Sequence, residues 1–306
     1  MRNRAGFLVL CGAGLALSAL PACAGSNDWV TEPHKSFAVR SLQIDDLQGN
    51  LVIGVSDSGP VQLDISGVKW MVDRLVVTTQ GGVLKIKDAP SNQVWDWRNW
   101  FNFHSDRADS KKLNVHLTVP RGMAVRVDDF HGSANIGDTY GPVNLGISGS
   151  GDARLGNVAS AELQTAGGGK IQAGTVAGSL HAEIAGSGQI RTGNAGAVHA
   201  EIAGSGAVTV AEIATQLHVE IAGSGDFRSA SVHGPAHIEI SGSGSANIAG
   251  GVADPLHVEI MGSGDVNFGG VAVDPHLETM GSGRVHLKSY RGALRKEGHI
   301  DLKVGD

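Results

Sequence analysis

The chain has 306 residues, a formal charge of −6 and 41% hydrophobic residues, with 45 glycines and only 5% aromatics. That acidic balance argues against nucleic acid and anionic lipid as partners, because both recruit clustered Lys and Arg. The two cysteines, Cys11 and Cys23, both fall at the start of the sequence, so the rest of the chain has no disulfide, thiolate metal site or cysteine nucleophile.

Arg2 and Arg4 precede an apolar run from Gly6 to Leu17 and then small residues. This is the layout of a secretory signal over residues 1–24 rather than of a membrane span. Two cleavage readings stand open. Ala22-Cys23-Ala24 is an A-x-A site that would release Gly25, whereas Leu20-Pro21-Ala22-Cys23 has the form of a bacterial lipobox, although Pro21 is unusual there. The second makes Cys23 a lipidation site and the only membrane attachment. Either way the protein is expected to be exported, to the periplasm or to the outer membrane and cell surface.

Residues 25–36 read as a polar spacer. From Phe37 the chain alternates as strands do, in "FAVRSLQI", "NLVIGV", "VQLDI", "RLVVTT" and "VLKIKD", each bounded by Gly, Asp or Pro. Residues 37–124 are therefore expected to form irregular first coils or a sheet continuous with the C-terminal half. Inside them, over 91–110, an excursion gathers Trp95, Trp97, Trp100, Phe101 and Phe103. One reading is a loop that stacks on sugar rings or on a partner protein. The other is a cap over an open end or flank, favoured because several exposed Trp promote aggregation.

Residues 125–306 carry the repeat. A Gly-x-Gly triplet begins at Gly149, Gly167, Gly186, Gly204, Gly223, Gly242, Gly262 and Gly281, at intervals of 18 to 20 residues. A period near 19 with one strand-like run per period is the mark of a solenoid, in which each repeat buries its apolar side by stacking on its neighbours. Residues two apart on a strand share a face. That rule places Ile184, Ile202, Ile221, Ile240, Ile260 and Thr279 inside, and after each triplet Ile190, Val208, Phe227, Ala246, Val266 and Val285. It leaves two columns outside: His181, His199, His218, His237, His257 and His276; and Glu183, Glu201, Glu220, Glu239, Glu259 and Glu278. The triplet is then a corner between strands, with Ser187, Ser205, Ser224, Ser243, Ser263 and Ser282 stacked and their hydroxyls free to bond corner backbone. His131-Gly132-Ser133 precedes the Ser150 corner by one period, so the regular stack starts near Val125. The expected fold is all-β, a right-handed parallel β-helix with coils of about 19 residues, its hand following the usual chirality of parallel crossovers. An antiparallel sandwich is disfavoured because its turns rarely recur so evenly.

The repeated "EIAGSG", the "SGSG" runs at Ser148–Gly151 and Ser241–Gly244, and the upstream "LNVHLTVP" ending at Pro120 resemble the head GIN domain family, named for auto-transporter adhesins. The resemblance covers roughly Phe37 to Leu287. It implies an envelope or surface β-solenoid and supplies no catalytic residue.

The His and Glu columns are the main candidate constellation. Carboxylates about 4.8 Å apart repel by roughly 1 kcal/mol at water's dielectric and by several at an effective constant near 20, so adjacent imidazoles must help by taking up protons or sharing a cation. Candidate ligands for zinc, copper or nickel are His181, Glu183, His199, Glu201, His218, Glu220, His237, Glu239, His257 and Glu259. The competing reading is a solvated ladder of cross-strand pairs. Other motifs fail. Gly167-Gly168-Gly169-Lys170 lacks the hydroxyl and the helix of a phosphate loop, and Asp152, Asp226 and Asp265 occupy too few corners for calcium-binding turns. Arg154, Arg191, Arg228 and Arg284 scatter along the second strand, and no nucleophile elbow appears. The sequence thus predicts a non-enzymatic envelope solenoid, adhesin-like or a scaffold, with no cofactor. Its partner would be an envelope or surface protein or polysaccharide, with self-association through solenoid ends a further option. A metal-binding periplasmic protein and a β-helix carbohydrate-active enzyme are the alternatives.

Overall fold

Side-chain alternation and a 19-residue repeat give each turn of the chain the same inward set, and the computed structural model shows how those sets stack. It describes residues 28–88 and 113–305. Cys23 and the aromatic stretch Trp95, Trp97, Trp100, Phe101 and Phe103 lie outside the described residues. The fold is a parallel β-solenoid of about nine turns of about 19 residues.

Through the repeat, strands on successive turns pair in parallel, residue for residue. Ile184 faces Ile202, Ile202 faces Ile221, Ile221 faces Ile240, and Ile240 faces Ile260. All are buried, as is the second column of Ile190, Val208, Phe227, Ala246, Val266 and Val285. A third inward column, Val176, Ala195, Ile213 and Val232, lies four or five residues before the histidine on the same strand of each turn and is paired in the same way. One contiguous apolar core therefore runs from Leu42 to Leu287.

The corner triplets explain why glycine recurs. Gly186, Gly204, Gly223, Gly242, Gly262 and Gly281 all have φ between 124° and 139°, a region that side chains with a Cβ avoid. A Cβ on Gly223 would also lie 2.6 Å from the carbonyl oxygen of Gly204. The third position is glycine for a different reason. A Cβ on Gly206 would lie 2.5 Å from Ile184 Cγ2, and one on Gly244 would lie 2.6 Å from Ile221 Cγ2. The corner therefore closes directly over the isoleucine of the preceding turn.

The corner serines behave differently from expectation. They are exposed, and among the described residues none of the six hydroxyls makes a hydrogen bond. Their backbone N–H groups do the work instead: Ser205 donates to the Gly186 carbonyl at 2.9 Å and Ser243 to the Gly223 carbonyl at 2.8 Å. The reason is geometric. The middle residue of the triplet points away from the coil, so its side chain meets water while its amide faces the preceding turn.

At the N-terminal end, spatial order departs from chain order. Strand Ser41–Asp45 lies between Val83–Asp88 and the long strand Ala124–Ile136, parallel to both. Gln48–Ser56 likewise lies between Leu113–Pro120 and Ala124–Ile136. The turn built from 83–88 and 113–120 is thus outermost, although it comes later in sequence. Antiparallel strands then cover its edges: Leu75–Gln80 pairs with Val83–Asp88, Val61–Val68 with Leu113–Pro120, and Trp29–Thr31 and Lys35–Phe37 with Val61–Val68. Antiparallel cover at this end satisfies groups that an open parallel edge would leave unpaired.

Val125 pairs with Val143, so the stack does pass through it. The corner there is shorter than expected. Phe130 faces Ile147 while Ser133 faces Asp152, so the offset behind the corner is 19 residues rather than 18, and Ser133 corresponds to Asp152 and not to Gly151.

Two glycine substitutions and one control test this account of the corners. Gly223→Ala should cost about 1–3 kcal/mol through its backbone angle, and Gly225→Ala about 1–3 kcal/mol through overpacking against Ile202. Gly168→Ala, whose Cβ would meet nothing closer than 3.8 Å, should change stability by no more than about 0.5 kcal/mol. Denaturant unfolding of the three variants checks the order.

Candidate functional site

Identical spacing turns one outward residue per coil into a continuous row. The His column occupies such a row, whose register runs Lys85, Gln43, Arg126, Asn144, Glu162, then His181 to His276, and ends at Arg295. The rings stack. Centroids are 5.0 Å apart for His181 and His199, 4.7 Å for His199 and His218, 4.9 Å for His218 and His237, and 4.7 Å for His237 and His257. Planes in the last three of these pairs lie within 6° of parallel. Only His257 and His276, at 4.9 Å, meet edge to face, at 87°.

Two of the six coils realise the expected imidazole–carboxylate help. His199 Nε2 lies 2.7 Å from Glu201 Oε1, and His218 Nε2 lies 2.7 Å from Glu220 Oε1. The hydrogen bond from His218, with the charges of neighbouring imidazoles, holds Glu220 below the usual carboxylate range. His237 moves the other way for an imidazole. Burial in the stack, with His257 and His218 on either side, pushes its pKa below the ordinary value against the pull of Glu259 and Glu220. Protonating successive stacked rings would place like charges within about 5 Å, which is costly at any interior dielectric.

The structure gathers the predicted metal ligands unevenly. His181, His199 and Glu201 place ligand atoms within 4.8 Å of one another, as do His199, His218 and Glu220. Glu183, His237, Glu239, His257 and Glu259 enter no such group among the described residues. Within the parallel stack the ring-nitrogen lone pairs run side by side, so two neighbouring rings converge on one ion only if a ring turns. A third group, His276, Glu278 and Glu297, was missed in part. Glu297 stands in register with Glu278, one period further on, but Arg295 replaces the histidine of the motif and hides the continuation.

The remaining motifs fall where their surroundings deny the special readings. Lys170 opens a strand, Lys170–Ala173, and not the helix a phosphate loop requires. Asp265 receives Arg284 at 2.7 and 2.9 Å, and Asp226 receives Arg228 at 3.1 Å, as surface ion pairs.

Parallel turns, glycine corners and outward columns define a β-solenoid repeat protein. A family profile described as "Putative auto-transporter adhesin, head GIN domain" matches residues 44–229 and again 190–290, so the chain belongs to the head GIN domain family. Among solved structures, one from Parabacteroides distasonis described as a "putative lipid binding protein" is 17% identical over 92% of this chain and 97% of that one, with a TM-score of 0.45. A "putative adhesin" from the same species is 14% identical over 90% and 98%, with a TM-score of 0.41. A "putative adhesin" from Parabacteroides merdae is 13% identical over 92% and 97%, with a TM-score of 0.43. No curated protein matches the sequence.

The stack predicts a pH dependence whose sign is set by His237. Its folded pKa lies below the unfolded value near 6.5, so the unfolded chain binds more protons and stability falls as pH drops below about 6.5. The Glu220 contribution is present above its unfolded value and is lost at lower pH, as pH falls through the depressed folded value. Melting temperature followed from about pH 8 to about pH 5.5 should fall in the acid half. His237→Gln should flatten that fall.

Proposed function

We propose that this protein is a non-enzymatic component of the bacterial cell envelope, whose long regular faces act as an adhesin-like or scaffolding surface. The observation that carries this reading is the unbroken register of the His and Glu columns, one ring and one carboxylate per turn from His181 to His276. A surface that repeats every coil, about 4.8 Å apart, suits an extended polymer or another repetitive surface. Many weak contacts spread along one face then add up to useful avidity.

Membership of the head GIN domain family supports this role, and the signal-like residues 1–24 support export to the periplasm, outer membrane or cell surface. The partner is an envelope or surface protein or polysaccharide. A carbohydrate-active enzyme would instead need a local break in the columns, with two carboxylates set apart for general acid and base or nucleophile. The monotony of the columns speaks against that arrangement.

Binding to arrays of envelope polysaccharides and surface proteins tests the proposal. Saturable binding is expected, weakened when Glu220 and Glu239 are both changed to Lys, with no shortening of any polymer. Depolymerisation abolished by a single Glu→Gln change would overturn the reading.

A further inference from the structure

The His column does not end as it runs. Four successive ring pairs stack with planes within 22° of parallel, but His276 turns to 87° against His257. The turned ring has its Nε2 out of contact with solvent and, among the described residues, without a hydrogen-bond partner. That nitrogen faces a carboxylate. Glu297 Oε1 is 3.4 Å away, close enough for an ion pair but not aligned as a hydrogen bond. Glu278, two residues along the same strand, stands in register beside Glu297. His276 and one oxygen from each glutamate lie within 4.8 Å of one another.

A buried imidazole nitrogen beside two carboxylates calls for a cation. We propose that His276, Glu278 and Glu297 form a site for one divalent transition cation, with zinc as its fitting representative, that ties the terminal coil to the body of the solenoid.

The donor set selects this class. Magnesium and calcium take oxygen ligands in sixes or more, whereas imidazole with carboxylate suits zinc and its neighbours. Tetrahedral zinc with bonds of about 2.0–2.2 Å sets its ligand atoms about 3.3 Å apart, close to the 3.4 Å between His276 and Glu297. Small rotations of the glutamate side chains bring the third ligand into the same range. Glu297 is exposed, so water can fill the fourth position and the ion can exchange.

The position gives the ion a structural effect. Glu297 lies on Arg295–Gly298, a strand joined to His276–Gly281 through only four register pairs. Without an ion, the one ion pair that Glu297 makes among the described residues is the 3.4 Å contact with His276. A bound ion would replace that single His276–Glu297 contact with three directed bonds across two coils.

The test uses tag-free chain dialysed against EDTA, titrated with zinc chloride by calorimetry, with magnesium chloride as control. The expected result is one zinc per chain, a zinc-dependent rise in melting temperature and no response to magnesium. Glu297→Gln, on an exposed edge strand, should weaken zinc binding roughly tenfold or more, and Glu278→Gln should do the same. His199→Gln should leave it unchanged. Circular dichroism and melting in EDTA show whether each variant folds. The proposal is overturned if zinc fails to saturate at one equivalent, if Glu297→Gln and Glu278→Gln bind as the wild type does, or if His199→Gln removes the binding.

Discussion

The close approach of successive corners is the constraint from which the remaining architecture derives. Each Gly-x-Gly backbone lies so near the one before it that its central amide donates directly to that turn's first glycine carbonyl, at 2.8 to 2.9 Å. Only glycine fits there, at the first position because of its backbone angle and at the third because an isoleucine methyl of the preceding turn already fills the space. Once the corners are locked, the strands on either side have no freedom of register, since a slip of one residue would turn Ile202 outward and His199 inward.

The outer chemistry is a consequence of that lock. Because registers agree, identical residues must become neighbours, so histidines stack on histidines and glutamates line up beside them. Stacked aromatic rings tolerate this arrangement when neutral, and the depressed pKa of His237 is the electrostatic expression of it. The ladder has two different ends. Glu162 continues the row at one side and accepts the amide groups of Asn144 and Gln164. At the other side Arg295 continues it, the last ring turns, and two carboxylates converge.

Most of the solenoid was legible in the sequence because both of its signals are local. Alternation assigns a face within a strand, and a fixed period assigns the neighbour, so the Ile, His and Glu columns needed no knowledge of distant contacts. Where landmarks thin out, the reading failed for physical reasons. Strands Ser41–Asp45 and Val83–Asp88 contain no corner triplet, and their pairing, with the later strand outermost, is set by long-range packing that no period announces. The Gly132 corner is shortened, which broke the 18-residue match of His131-Gly132-Ser133 to the corner at Ser150. Val176, Ala195, Ile213 and Val232 keep the period but precede bulged stretches, so no clean alternation flagged them as a third inward column. Glu297 kept its place in the row while its neighbours changed from His to Arg295 and from apolar to Lys296.

The central claim is residue-for-residue stacking of adjacent coils, and disulfide trapping tests it most directly. Ala203 and Ala222 are exposed and face one another on neighbouring turns, while Ser241 lies one turn further on. Parallel neighbours sit about 4.8 Å apart, within the roughly 4.4–6.8 Å span of a disulfide, whereas two turns span about 9.6 Å. In a chain with no native cysteine beyond Cys23, Ala203→Cys with Ala222→Cys should close an intramolecular disulfide on mild oxidation, and Ala203→Cys with Ser241→Cys should not. A crosslink in the second pair, or none in the first, would contradict the stacking.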